Sequence, residues 1–192
     1  MKSISKILMV ITVLLSAANS FAQNQNEQHH NHGGTAQAKN IPSQNLSQLH
    51  AVFDKYFSIK DALVNADVNI ASSNATELAT VIKTVDMGEL SPKEHTVWMK
   101  VMKELSLNTE NISKSKDVVK QRRAFALLSK NVYELANASK QETTMYYQNC
   151  PMYNDGKGAT WLSKSTDIKN PYYGSKMLTC GSTIEKLISQ PL

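Results

Sequence analysis

From Leu46 onward, apolar residues recur at spacings of three and four, and polar, glycine or proline breaks cut the recurrence into four runs. That spacing aligns apolar side chains along one face of an α-helix. The first stripe is Leu46, Leu49, Phe53, Tyr56, Phe57, Leu63 and Val64, with Ser43 as N-cap and Asn65-Ala66-Asp67 as its break. Ala71, Ala75, Leu78, Ala79, Ile82 and Val85 make the second, which Met87-Gly88 ends. In the third, Ser91 caps, Pro92 takes the first helical position and Glu94 completes a capping box ahead of Trp98, Val101, Met102 and Leu105. The fourth runs from Asp117 to Lys140 on Val118, Phe125, Leu128, Val132, Leu135 and Ala136. Arg122 and Arg123 lie beside that stripe; a reach to a buried carboxylate or carbonyl is open to one of them, and the leading expectation is a structural role as solvated or pairing residues.

Four such helices with short links predict an all-α fold, an antiparallel four-helix bundle over residues 43–140. Residues 141–192 read as a loop-rich cap rich in Cys and Met. Thr143 to Gln148 is β-branched and aromatic, so the chain is expected to enter the cap extended. Ser182 and Glu185 resemble a second capping box, and with Ile184, Leu187 and Ile188 they predict a short terminal helix. On that reading Cys180 stands just ahead of a helix N-terminus, where the dipole favours a thiolate.

The start of the chain has a different pattern. Lys2 and Lys6 precede an apolar run, Ile7 to Leu15, that is too short to span a bilayer, and Ser20-Phe21-Ala22 offers small residues for cleavage before Gln23. Residues 1–22 therefore read as a signal peptide, and the mature protein as periplasmic or secreted, with no membrane span after cleavage. Residues 23–42 are polar and include His29, His30 and His32, three imidazoles that suit weak capture of Cu(II), Zn(II) or Ni(II). An uncharged, solvated tether explains them equally well. Residues 43–192 then form one domain.

The formal charge of +5 falls to +3 without Lys2 and Lys6, too mild and too scattered for a nucleic-acid partner. Catalytic motifs are lacking: the sequence has no Cys-x-x-Cys pair, phosphate loop, HExxH or nucleophile elbow. All five histidines precede residue 96, so a Cys–His dyad would need His50 or His95 brought across the fold. The expectation is a protein that is not an enzyme.

The candidate chemistry lies between Met145 and Gly181. Both cysteines are there, Cys150 followed by Pro151-Met152 and Cys180 preceded by Met177 as Met-x-x-Cys. Thiolate and thioether sulfurs are soft donors that select Cu(I) over hard divalent ions. Asn154-Asp155-Gly156 and Asn170-Pro171 are turn signals, so the segment is expected to reverse and bring its sulfur-bearing ends together. Cys150, Met152, Met177 and Cys180 are the metal candidates. Met145, His95, Met99 and the histidines of the tether are weaker ones; His95, Met99 and Met102 share one helix edge. Two cysteines in an exported chain also suit a plain disulfide, and methionines commonly fill gaps in cores. Both readings stay open on spacing alone.

Cys150-Pro151-Met152, Gly158-Ala159, Trp161-Leu162-Ser163, Asn170-Pro171-Tyr172-Tyr173-Gly174, Met177 and Cys180-Gly181 resemble the signature of a periplasmic domain-of-unknown-function family, DUF3347. Tyr56, Asp61-Ala62-Leu63-Val64, Trp98, Arg123 and Phe125 extend the likeness upstream, over roughly residues 45 to 190. The resemblance implies an exported helical domain, found alone or fused to adaptors of copper and heavy-metal efflux systems. It implies an efflux adaptor or copper chaperone as partner and supplies no reaction. Two functions follow: a Cu(I)-binding accessory, or a disulfide-stapled interaction module without a metal role.

Overall fold

The structure, a computed structural model, describes residues 48–188. Expectations for the signal peptide, for the tether with His29, His30 and His32, and for Ser43 and Leu46 fall outside them. Four helices come first: α1 (Leu49–Val64), α2 (Val68–Thr84), α3 (Pro92–Lys114) and α4 (Val118–Ala138). Their boundaries follow local chemistry. Ala66 takes a left-handed φ of 55°, turning the chain so that the Asp67 carboxylate accepts from the Asn69 and Ile70 N–H groups that α2 leaves unpaired. Ser91 and Glu94 form the expected capping box on α3, with Pro92 in its first turn. Asp117 caps α4 through Val119 and Lys120.

The helices close a ring of contacts, α1 on α2, α2 on α3, α3 on α4 and α4 on α1. Leu49, Leu63, Leu78, Leu105, Phe125 and Leu135 lie fully buried inside it. Trp98 is buried as well.

The cap corrects the all-α expectation. Met145–Cys150 (β1), Ala159–Ser163 (β2) and Ser182–Leu187 (β3) form an antiparallel sheet in the order β2-β1-β3, so the protein is mixed α/β. The predicted extension through Met145 to Gln148 is the central strand. The predicted terminal helix is instead β3, paired with β1 from Met145↔Leu187 to Asn149↔Ser182. The physical reason is competition. A six-residue helix is marginal in water, whereas β1 otherwise leaves a row of open N–H and C=O groups. Glu185 accepts a hydrogen bond from the Tyr133 hydroxyl on α4 instead of closing a capping box.

The sheet is joined to the helices by hydrogen bonds as well as packing. The Tyr56 hydroxyl of α1 accepts from the Leu162 N–H at 3.0 Å and lies 2.9 Å from the Ser129 hydroxyl of α4. Tyr133 stacks on Tyr147 with ring centroids 3.8 Å apart. Tyr172, from the loop before β3, meets Phe125, which stacks on Tyr56 at 5.1 Å. Among the described residues no helix is long and apolar enough to cross a membrane.

Candidate functional site

β1 delivers Cys150 to the hairpin end of the sheet, opposite Ala159. The chain then turns through Pro151 to Gly158, with Asn154 and Asp155 both at φ 56°. The Gly158 N–H returns to the Tyr153 carbonyl at 2.9 Å and closes the turn. Cys180 arrives from the opposite direction, through a 3-10 turn at Gly174–Met177 and a Cys180 N–H to Met177 C=O bond of 3.1 Å.

Gly181 then passes across the end of β1 at φ 140°. A Cβ there would stand 2.7 Å from the Asn149 carbonyl oxygen, so only glycine allows the approach. The outcome is the expected convergence: the two sulfurs lie 2.9 Å apart, and both thiols are free.

Access to the two is unequal. Cys150 is 0% exposed, while Cys180 is partly open to solvent. The hydrogen bond to Cys150 pushes the Cys180 thiol above its ordinary value; burial adds to this, and the Met152 N–H pulls weakly the other way. This reverses the expectation of a helix dipole favouring the thiolate, since β3 supplies no helix N-terminus.

The segment Asn170-Pro171-Tyr172-Tyr173 holds both cysteine loops. Asn170 is fully buried, and its Nδ2 donates to the Cys180 carbonyl at 2.9 Å. Its Oδ1 accepts from the Tyr172 N–H at 2.8 Å and the Tyr173 N–H at 3.3 Å. The Tyr173 hydroxyl reaches the Met152 carbonyl at 2.9 Å, and the Tyr172 hydroxyl reaches Thr160 on β2.

Arg122 secures the segment from below, donating through Nε to the Pro171 carbonyl at 2.8 Å and through Nη2 to the Leu63 carbonyl at 2.9 Å. Of the Arg122–Arg123 pair, then, Arg122 is the one that reaches carbonyls. Gly174 packs so tightly there that a Cβ would stand 2.8 Å from both Arg122 Nη2 and the Val64 carbonyl. Asn-Pro is visible in the sequence as a turn, but nothing local says that this turn ties Cys180 to its frame.

Of the four primary candidates, Cys150 ends β1, and Met152, Met177 and Cys180 lie on the two loops beside it. Met152 and Met177 are exposed there, at 58% and 37%, beside their cysteines in sequence. The weaker candidates lie elsewhere. Met145 is buried at the far end of β1, about 17 Å of strand from Cys150. It lines a small cleft with Phe53, Phe57 and His50, and His50 sits between Asp54 at 3.1 Å and Glu142 at 3.3 Å. His95 and Met99 are exposed on α3, whose partners are α2 and α4, while Met102 packs at the margin of the core. Among the described residues no group of three or more His, Cys, Asp or Glu side chains is placed to hold an ion. A metal here would therefore depend on the two thiolates and on thioethers.

No curated protein and no solved structure matches the chain. A family model does, over residues 52–144, from α1 to the residue before β1. The match thus lies on the helices and not on the cysteine loops that carried the more specific likeness in the sequence. By that match, residues 52–144 of the chain belong to the family described as Protein of unknown function (DUF3347).

Proposed function

We propose that this is an exported accessory protein of copper or heavy-metal handling that binds a soft ion, Cu(I), through Cys150 and Cys180. The observation that supports the reading is the meeting of two free thiols, 2.9 Å apart, on loops that also expose Met152 and Met177. The reading is of a binding protein and not of an enzyme, with an efflux adaptor or a copper chaperone as partner. Seating an ion between the sulfurs requires them to separate, because metal–thiolate bonds of about 2.3 Å set two ligand sulfurs farther apart than they stand here. The Cys180 side can supply the movement, since Ser175 to Thr179 are exposed and built from turns.

The test is Cu(I) titration of the reduced protein against a competing chelator. Cys150→Ser or Cys180→Ser should lower affinity at least about 100-fold, as removal of a primary ligand costs no less than the losses known for its supporting groups. Met152→Leu and Met177→Leu should cost less. Equal affinity in wild type and the double cysteine variant would sink the reading.

A second reading has its own support. Cys150 is wholly buried and its sulfur already lies close to bonding distance from Cys180. Both features suit a disulfide-stapled interaction module. A thiol count on protein purified without reductant separates the two: two titratable thiols favour the metal site, and none favours the staple.

A further inference from the structure

We propose that Cys150 and Cys180 form a thiol–disulfide exchange pair, in which Cys180 meets a low-molecular-weight disulfide and Cys150 closes the bridge. The proposal goes beyond the metal reading. Where that reading also holds, closing the bridge withdraws both thiolate ligands, so the redox state of the pair decides whether the site can be filled.

Three observations carry it. The sulfurs are 2.9 Å apart, so a bond between them needs less than about 1 Å of further approach. Access is one-sided, since Cys180 is partly open and Cys150 is 0% exposed. The frame is already built: β1 holds Cys150, while Asn170 and the Gly181 crossing hold Cys180, so closing the bridge orders no new segment. Exchange rates follow thiolate fraction and access to the attacking sulfur. Access is set here by position, and it favours Cys180 as the attacking sulfur.

In the first step the Cys180 thiolate attacks one sulfur of the external disulfide. A Cys180–sulfur bond forms, the external bond breaks, and one thiolate leaves. In the second step the Cys150 thiolate attacks the Cys180 sulfur and the remaining thiolate leaves. The two protein thiols are oxidised and the external disulfide is reduced to two thiols, which take up the two protons.

The experiment uses the reduced, metal-free protein with glutathione disulfide as probe and intact mass spectrometry as readout. Wild type should lose two hydrogens without accumulating an adduct. Cys150→Ser and Cys150→Ala should each trap one glutathionyl group on Cys180, and Cys180→Ser should react at least about tenfold more slowly than either. Equal rates in the Cys150 and Cys180 variants, with circular dichroism showing both folded, would overturn the assigned order. A wild-type bridge that reduced glutathione never reopens would overturn exchange altogether and leave a structural disulfide. Because no metal is present, failure here leaves the copper titration untouched. Failure of the copper titration likewise leaves this result standing.

Discussion

The helical half and the cap are built by different physics. In the helices the starts of α2, α3 and α4 are decided within one turn: Asp67, Ser91 and Asp117 cap from their own neighbourhoods, and the buried stripes follow the helical period. In the cap the decisive contacts join residues far apart in sequence. Arg122 reaches Pro171, Tyr173 reaches Met152, and Gln148 donates to the Ser165 carbonyl at 3.0 Å. The helices thus rest mainly on apolar burial, which is non-directional. The cap adds directional hydrogen bonds from buried polar side chains, Asn170 and Gln148 among them, to its own apolar burial. A site that needs two sulfurs in register belongs on the second kind of structure, because directional bonds define positions that burial alone leaves loose.

This contrast can be broken from the helical side first. Trp98→Ala should remove about 3–5 kcal/mol of stability, because Trp98 is 2% exposed on α3, whose main partners are α2 and α4. Thermal unfolding followed by circular dichroism and by exposure of Cys150 should show both transitions together; a cap that keeps Cys150 protected after the helices melt would show two independent units.

Asn170→Ala acts on the cap, leaving the Cys180 carbonyl and the Tyr172 and Tyr173 N–H groups without their partner. About 2–3 kcal/mol should be lost, and Cys180 should alkylate faster in the still-folded protein. An unchanged alkylation rate would mean that Asn170 shapes the loop without setting the thiol.

A smaller effect concerns pH. The Cys180 thiol is raised above its ordinary value of 9.0, first by Cys150. A raised folded value means the native state holds that proton more tightly, so the contribution is complete below about pH 9 and disappears as pH rises through the folded value. Cys150→Ala should lower the midpoint of the Cys180 alkylation profile and reduce the loss of stability above that pH. No shift in midpoint would place the cause outside the pair.

The smallest is Tyr173→Phe, which deletes a single exposed hydrogen bond to the Met152 carbonyl. It should cost about 0.5–1.5 kcal/mol in urea denaturation. If the Cys-Pro-Met corner is tuned from this hydroxyl, the adduct yield in the Cys150→Ser background should change although melting barely does.

Most of the helical half was legible in the sequence, residue by residue. Its signals are spacing and caps, which act over four or five positions and so survive in a linear reading. The strand through Met145 and Gln148 was also visible, because β-branched and aromatic residues favour it. Ser182 to Ile188 shows the limit. Thr183 and Ile184 suit a strand, whereas Ser182 and Glu185 suit a helix, and the choice fell to an open strand edge some 35 residues upstream. Local chemistry offered two answers of similar weight, and hydrogen-bond pairing with β1 selected one.

The sequence alone determined that four amphipathic helices would form, and that two cysteines would stand at the ends of a turning segment with methionines beside them. Tertiary structure decided that these sulfurs meet, that one is buried and the other open, and that Met145 and His50 belong to a different cleft. It also chose Arg122 over Arg123 and gave Asn170 its grip on Cys180. The physical reason is range. Helical periodicity is written in neighbours, but a buried carbonyl needing a donor leaves no mark on the residues around it until the chain has folded back to supply one.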